Sequence, residues 1–335
     1  MNFYGLILRP LMFRLDAECA HNLALTFLER FSPCFLRILF GPKPEGFGVR
    51  VWDIDFPNPV GLAAGMDKDA RCLPAWEALG FGFVEVGTVT AVPQSGNPRP
   101  RVFRLPQRRA LINRMGFNNC GAEAMGMRLR ALRARGRWPR IPVGVNIGKS
   151  KVTPLENAAD DYRFSARILR EFADFFVINV SSPNTPGLRE LQEVVRLEGV
   201  VKAVQDEAGG TPVLIKLAPD LSDKGVLDIV NFAVSCGVAG FVATNTTVER
   251  PGFGNCGGEK GGLSGEPLRE RANEVVKLIA SACSLPIIGS GGVMDGRSAG
   301  EKISVGAKLL EIYTGFVYGG PAVIREVACS FKELA

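Results

Sequence analysis

Short apolar runs rich in β-branched residues recur along the chain, and each ends in a polar or glycine-containing turn. The runs are continuous rather than alternating, which is typical of strands buried on both faces of a parallel sheet. Eight strand-helix units fit a closed α/β barrel better than an open doubly wound sheet, although spacing alone permits either. We predict strands at 59–65, 83–90, 141–148, 175–181, 212–218, 240–247, 286–292 and 308–315. Helical patterns lie between them, for example at 155–172, 189–208, 222–236, 266–282 and 295–306.

The first 45 residues stand outside this pattern. Segments 2–15 and 21–40 are rich in Phe, Leu and Ile, and Asp16 is a suitable N-cap for the second. Residues 1–43 carry a net charge of +2, and no apolar run reaches the ~18 residues of a membrane-spanning helix. Basic groups spread along the segment argue against a signal peptide. We predict a helical extension at 1–45 that lies on a membrane surface, with simple cover for the barrel as the alternative, followed by a barrel domain at 46–335.

Segment 177–188 joins a predicted buried strand to a loop that carries Asn179, Ser182, Asn184 and two prolines. Each asparagine offers both a donor and an acceptor, which suits a planar ligand with alternating polar groups. The Ser182 hydroxyl is a candidate for handling a proton. Because strand alternation points adjacent residues to opposite sides, only one of Ser181 and Ser182 faces the ligand, and Ser181 is the alternative candidate. An ordinary Ser/Asn/Pro turn is the alternative interpretation.

The other predicted strands also end in a small residue, an amide, a hydroxyl or a lysine. In an α/β barrel the carboxyl ends of the strands form the active site. Glycines after the seventh strand and a polar pair after the eighth match the usual phosphate site of such barrels. Lysines inside this ring need anionic partners, since a buried unpaired ammonium is costly. The strand-end residues are Ala64, Gly65, Lys68, Thr88, Asn146, Asn179, Lys216, Thr244, Asn245, Gly291, Gly292, Tyr313 and Thr314.

Composition narrows the chemistry. The eight cysteines show no metal-ligand spacing, and His21 is the only histidine, so we expect reduced thiols and no metal. Catalysis should therefore rest on Lys, Asn, Ser and Thr with a cofactor. Residues 99–140 contain twelve arginines and a single acid, Glu123, which raises nucleic-acid binding as an alternative. The arginines at 128–137 repeat like a solvated helix face, and aromatic residues are sparse, so we expect no nucleic-acid partner.

Ten short motifs follow one another along the chain: GLAAGMDKD (61–69), EVGTVT (85–90), NRMGFNN (113–119), NIGKS (146–150), NVSSPNTPGL (179–188), IKLAPD (215–220), ATNTT (243–247), GGLSGEPL (261–268), IIGSGG (287–292) and IYTGF (312–316). In this order, over essentially the whole chain, they closely resemble the dihydroorotate dehydrogenase family. The resemblance implies a (β/α)8 barrel, an α/β TIM barrel, that binds one FMN and oxidises dihydroorotate to orotate in pyrimidine synthesis.

The resemblance extends to one of the two kinds of the family. Ser182 stands where the quinone-linked class 2 members carry a serine base, whereas class 1 members have cysteine there. The N-terminal extension also resembles class 2. The resemblance to class 2 implies a membrane quinone as electron acceptor and a peripheral position on the cytoplasmic face of the cell membrane. The alternatives are a class 1 activity with fumarate or NAD, and a non-enzymatic FMN-binding barrel.

Site residues carried over from the resemblance form four groups. Ser182 would be the catalytic base that takes the C5 proton. His21 and Arg104 would lie at the quinone site. The FMN would be held by Ala64, Gly65, Met66, Asp67, Lys68, Thr88, Asn146, Asn179, Lys216, Thr244, Gly265, Gly292, Tyr313 and Thr314. The substrate would be held by Lys68, Asn113, Arg114, Met115, Gly116, Phe117, Asn179, Asn184, Asn245 and Thr246.

Overall fold

The computed structural model describes residues 3–41, 43–44, 46–250 and 258–331. The strands are short, and most of them are buried along their whole length. They are β1 (Val49–Val51), β2 (Ile54–Phe56), β3 (Val60–Leu62), β4 (Phe83–Val89), β5 (Val102–Leu105), β6 (Ala110–Asn113), β7 (Val143–Ile147), β8 (Phe175–Asn179), β9 (Val213–Leu217), β10 (Gly240–Ala243), β11 (Gly262–Gly265), β12 (Ile287–Ser290) and β13 (Leu309–Ile312).

Helices follow the predicted pattern, with short helical turns added at some ends. They are α1 (Arg9–Met12), α2 (Ala17–Arg30), α3 (Pro33–Phe40), α4 (Leu73–Leu79), α5 (Ala122–Ala134), α6 (Ala158–Leu169), α7 (Val194–Ala208), α8 (Asp223–Ser235), α9 (Arg269–Ala282), α10 (Gly296–Ser304), α11 (Thr314–Gly319) and α12 (Ala322–Cys329).

Eight parallel strands close into a barrel in the order β3, β4, β7, β8, β9, β10, β12 and β13. The ring closes where β13 pairs with β3, with Leu310 opposite Val60 and Ile312 opposite Leu62. All eight strands overlap the predicted ones, so the predicted TIM barrel is confirmed and the open sheet is wrong. Helices between the strands cover the outside, and this alternation brings eight carboxyl ends to one mouth.

The two ends of the barrel are built differently. At the amino end, the β1–β2 hairpin packs Val51 and Phe56 against an apolar plug that includes Phe83, Phe175 and Leu214. At the carboxyl end, β5, β6 and β11 form a separate antiparallel sheet beside the mouth. The plug makes the lower half solid, so the space for a ligand lies in the upper half.

The N-terminal segment is helical, as predicted, and it packs on the barrel. A π-helical turn (Tyr4–Leu8) leads into α1, and the Asp16 carboxylate accepts hydrogen bonds from the amides of Glu18 and Cys19 at the start of α2. The predicted second stretch is broken at Ser32, whose hydroxyl accepts from the Phe35 amide and begins α3. No helix of the described residues is long and apolar enough to cross a bilayer.

The arginine-rich stretch makes structural contacts within the chain. Arg101 is buried and pairs with Glu18 of α2 at 2.7 Å. The Arg128 guanidinium donates to the Asp69 carbonyl at 2.6 Å, and Arg133 lies over the rings of Trp138 and Phe172. The remaining arginine of α5, Arg130, is exposed, as are Arg135 and Arg137 after the helix, which the solvated-face interpretation predicts.

Candidate active site

A cleft of about 1060 Å³, open mouth included, lies at the carboxyl end of the barrel. Most of the predicted site residues line it: Ala64, Gly65, Lys68, Thr88, Asn113, Met115, Gly116, Phe117, Asn179, Ser182, Asn184, Lys216, Thr244, Asn245, Thr246, Gly265, Gly292, Tyr313 and Thr314.

The loop after β8 presents Ser182 to the cleft and turns Ser181 away. Ser182 is 6% exposed, lines the cleft, and its hydroxyl accepts a hydrogen bond from the Asn184 amide at 3.3 Å. The Ser181 hydroxyl instead donates to Asn179 Oδ1 at 3.1 Å and accepts from Asn245 at 2.9 Å. Of the two serines, Ser182 alone lines the wall that faces a ligand.

Amide side chains from three strand ends are fixed by one another. Asn179 donates to the Thr88 hydroxyl at 2.8 Å, and its Oδ1 accepts from Asn245 at 3.3 Å. In the same cleft, Asn184 Nδ2 donates to Asn113 Oδ1 at 3.2 Å. These bonds hold the amides in place, so the wall is a set of oriented donors and acceptors suited to a planar polar molecule.

Lys216 extends from β9 into the centre of the barrel between two buried glutamates. Its Nζ lies 2.9 Å from Glu85 Oε1 and 3.3 Å from Glu311 Oε2. Burial lowers the pKa of Lys216, but the two neighbouring glutamates outweigh it and raise the pKa above its ordinary value. The Lys216 ammonium is therefore charged at the floor of the cleft.

Lys68 is the second lysine of the cleft, and its surroundings differ. Its Nζ donates to the Gly65 carbonyl at 3.0 Å. Burial lowers the pKa of Lys68 to about 8, although the charge of Asp69 opposes the shift. An anionic ligand beside Lys68 would stabilise its charged form and compensate for the cost of its burial.

Glycines at the mouth allow the backbone to line the cleft directly. Gly265 (φ +95°) and Gly292 (φ +76°) adopt conformations that other residues avoid. A Cβ on Gly265 would lie 2.3 Å from the Arg109 carbonyl, and one on Gly292 would lie 2.4 Å from Arg269 Cα. Beside them, Ser264 and Thr314 share a hydrogen bond of 2.8 Å between their hydroxyls. This rim of backbone and hydroxyl groups fits a phosphate.

Four predicted site residues do not line the cleft. The Asp67 carboxylate accepts bonds from the amides of Arg71 and Cys72 and from the Trp76 ring nitrogen, which fixes the turn after β3. Met66 is buried in the main core. The other two take part in contacts beside the cleft. Asn146 donates to Glu85 at 2.6 Å, and Arg114 pairs with Glu259 at 2.7 Å.

The two predicted quinone-site residues lie where the extension meets the barrel. Arg104 of β5 donates to the carbonyls of Met12 and Leu15 and lies 4.8 Å from the Phe13 ring centre. His21 of α2 is near Lys68, and burial together with that charge lowers the pKa of His21 to about 3. His21 is therefore neutral at physiological pH.

Several residues in or beneath the cleft were missed by the sequence analysis. Glu85 and Glu311 stand inside apolar strands, and an acid in such a run indicates a buried partner. Ser264 and Ser290 also line the cleft and lie within motifs 261–268 and 287–292. The predicted strands contain Glu85, Ser290 and Glu311 but not Ser264, and the contacts of Glu85 and Glu311 come from distant strands.

Fold and site together define an α/β-barrel enzyme whose mouth suits a phosphate-bearing cofactor and a small planar anion. The sequence profile described as "Dihydroorotate dehydrogenase" matches residues 47–334. The chain therefore belongs to the dihydroorotate dehydrogenase family, as its motifs predicted. The predicted oxidoreductase class is thereby confirmed as well.

Curated relatives and solved structures agree with this family. The dihydroorotate dehydrogenase (quinone) of Salinispora arenicola is 50% identical over 97% of this chain and 98% of its own. That of Gloeobacter violaceus is 50% identical over 98% and 94%. The crystal structure of DHODH from Eimeria tenella in complex with ferulenol superposes with a TM-score of 0.86 at 36% identity, covering 95% of this chain and 91% of its own. The predicted quinone-dependent type is confirmed by these relatives.

Proposed function

We propose that this chain uses FMN to oxidise (S)-dihydroorotate to orotate and gives the electrons to a membrane quinone, in pyrimidine synthesis. The observation that carries the proposal is one cleft wall on which Ser182, the asparagine network and Lys68 face the same space. A neutral hydroxyl, oriented amides and a cation match a planar cyclic amide that bears a carboxylate.

The cofactor part rests on the rim and floor of the cleft. The backbone around Gly265, Gly292 and Thr314 would hold the FMN phosphate. Both positions need glycine, because a Cβ at either one would collide with neighbouring backbone. Lys216 would balance negative charge on the ring system, which is a usual way for a protein to tune a flavin. Other predicted contacts, including Thr88, Asn179 and Thr244, line the same space. When bound, FMN supplies the two-electron acceptor for the substrate hydride and the donor to quinone.

The substrate assignment is based on the asparagines, Lys68 and Ser182, which line the same cleft. Asn113, Asn184 and Asn245 would read the alternating N–H and C=O groups of the pyrimidine ring, and Lys68 would pair with its carboxylate. Ser182 would take the proton from C5 while the hydride leaves C6, so that a C5=C6 double bond forms. A serine hydroxyl is a weak base, and it must pass this proton onward during the reaction.

The acceptor part rests on the extension at residues 1–45. Nine of the sixteen large apolar side chains exposed in the described residues lie between positions 3 and 38. Their concentration on one short segment supports contact with an apolar phase. We place the exposed apolar side chains of this segment against the cytoplasmic side of the cell membrane, where the segment would act as a peripheral anchor. His21 and Arg104, on its barrel side, would border the quinone.

The test is the flavin absorbance of the purified protein without oxygen. Dihydroorotate should bleach the flavin bands, and decylubiquinone should restore them, whereas fumarate and NAD should not. Bleaching followed by brisk recovery with fumarate would select the class 1 alternative. A protein that is purified without a flavin spectrum and does not bind added FMN would contradict the cofactor assignment.

A further inference from the structure

The buried groups under the cleft do not balance in charge if each has its ordinary protonation state. Glu85 and Glu311 are 0% and 1% exposed, and the only ammonium of the described residues within reach of both is that of Lys216, at 2.9 and 3.3 Å. Two carboxylates and one ammonium would leave an uncompensated negative charge in the barrel centre. Such a charge is strongly disfavoured, and carboxyl groups that share a site commonly retain a proton.

The hydrogen bonds indicate which carboxyl group keeps the proton. Glu85 Oε1 accepts two bonds, from Asn146 at 2.6 Å and from Lys216 at 2.9 Å. Glu311 accepts a single, longer bond of 3.3 Å from Lys216. The carboxyl group that accepts more and shorter hydrogen bonds is the more stable anion, so the negative charge belongs on Glu85.

Each glutamate also has one oxygen with no other partner. Glu85 Oε2 and Glu311 Oε1 are buried and accept no hydrogen bond from any donor of the described residues. A proton on Glu311, shared with Glu85, would give both carboxyl groups a further bond. Burial together with the neighbouring charge of Glu85 raises the pKa of Glu311 well above its ordinary value, while Lys216 holds the pKa of Glu85 below its own.

We propose that Glu85, Glu311 and Lys216 form a neutral unit in which the two carboxyl groups share one proton, carried on Glu311. Glu311 is then a positioning residue that holds the charged Lys216 at the cleft floor without adding negative charge beneath the cofactor. The functional meaning of the unit rests on the proposed flavin chemistry. The shared proton does not depend on that chemistry.

The first test is the infrared spectrum of the purified full-length protein, with and without ¹³C-labelled glutamate. A protonated glutamic acid gives a carboxylic C=O band that a carboxylate lacks, and the label shifts it. The label also separates it from Asp67, whose pKa burial raises. We expect a labelled band that disappears in Glu311→Gln. It should also disappear in Glu85→Gln, because Glu311 then takes over as the anion beside Lys216. Absence of the band from the wild-type protein would overturn the proposal, and this reading needs no variant to fold.

The second test is the midpoint potential of the bound flavin. The Glu311→Gln substitution replaces a neutral acid by a neutral amide, so it should leave the potential close to that of the wild type. Glu85→Gln should not raise it, since the unit stays neutral with the charge moved to Glu311. If both glutamates were ionised, each variant would remove a negative charge and raise the potential, which would overturn the proposal. A wild-type protein that shows the band but neither binds flavin nor oxidises dihydroorotate would contradict the proposed function and leave the shared proton standing.

Discussion

The barrel mouth and the N-terminal extension both depart from the usual rule that polar side chains face water and apolar side chains are buried, but they do so in opposite directions. At the mouth, charged and polar groups are withdrawn from water: Lys216 is 5% exposed and Ser182 is 6% exposed. On the extension, apolar groups face outward: Ile38 is 84% exposed and Leu6 is 68% exposed. Buried polar groups and exposed apolar patches are the informative exceptions in a folded protein. Here they support the two proposed partners, a small polar ligand inside and a membrane surface outside.

The junction between the two regions is built from buried polar contacts. Glu18 of α2 pairs with Arg101, and both side chains are less than 10% exposed. Tyr4 donates to the Val317 carbonyl at 2.6 Å, and Arg9 donates to the Tyr318 carbonyl at 3.0 Å. Removing the whole extension would therefore leave Arg101 unpaired, so single substitutions separate anchoring from catalysis more cleanly than a truncation does.

The largest effect is expected at the mouth. Ser182→Ala should retain FMN and orotate binding but slow flavin reduction by dihydroorotate about 10²–10⁴-fold, the usual contribution of a general base. Stopped-flow bleaching of the flavin measures this step directly. Ser182→Cys retains a removable proton and should recover part of the rate. Ser181→Ala is the matched control and should cost much less, because its hydroxyl bonds only within the wall. A near-normal rate of flavin reduction in Ser182→Ala would contradict the assignment of Ser182 as the catalytic base.

At the junction, Glu18→Gln should lower the free energy of unfolding by about 3 kcal/mol or more, since it leaves the buried Arg101 charge without a counter-ion. Glu29→Gln is the matched control on the same helix. Glu29 also pairs with a barrel arginine, Arg71 at 2.6 Å, but its side chain is 45% exposed. The control should cost less than about 1 kcal/mol. Denaturant unfolding measures both, and equal losses would contradict a special role for the buried pair.

Much of this organisation could be predicted from the chain. Continuous apolar runs indicated the eight barrel strands, and the strand-end position of Asn179 or Thr244 followed from barrel geometry. The Asp16 cap was also visible, because capping is local. The ten motifs indicated the family, and Ser182 within the motif at 179–188 indicated its quinone-linked type.

What could not be predicted depends on contacts between distant residues. Glu85 and Glu311 are 226 positions apart in the chain, and only barrel closure brings both to Lys216. Met66 and Asp67 belong to a site motif, yet they face the core because the turn after β3 points only part of that segment at the cleft. The Glu18–Arg101 pair likewise joins two segments whose packing no local pattern indicates.

A smaller effect is expected from the pH dependence of the junction. The folded pKa of His21 is about 3, below the ordinary value of 6.5 that applies to the unfolded chain. Below about pH 6.5 the unfolded chain therefore binds a proton that the folded protein does not, and stability falls as the pH falls. His21→Gln should remove this contribution and reduce the loss of unfolding free energy between about pH 7.5 and pH 5 by about 2 kcal/mol. Identical pH profiles for the variant and wild type would contradict a half-buried His21 that is neutral in the folded protein.

The smallest effect on stability is expected on the extension, where the effect on membrane binding should be clear. Ile38→Ser replaces an apolar side chain that is 84% exposed and should change the unfolding free energy by less than about 0.5 kcal/mol. If this face enters the bilayer interface, the variant should nevertheless bind anionic vesicles more weakly, because burial of such a side chain is worth about 1.5–3 kcal/mol. Val195→Ser is the matched control, since Val195 is 85% exposed on α7 of the barrel. Vesicle co-sedimentation and turnover with decylubiquinone measure the difference. The control should match the wild type in both, and equal vesicle binding by both variants would mean that the extension only covers the barrel.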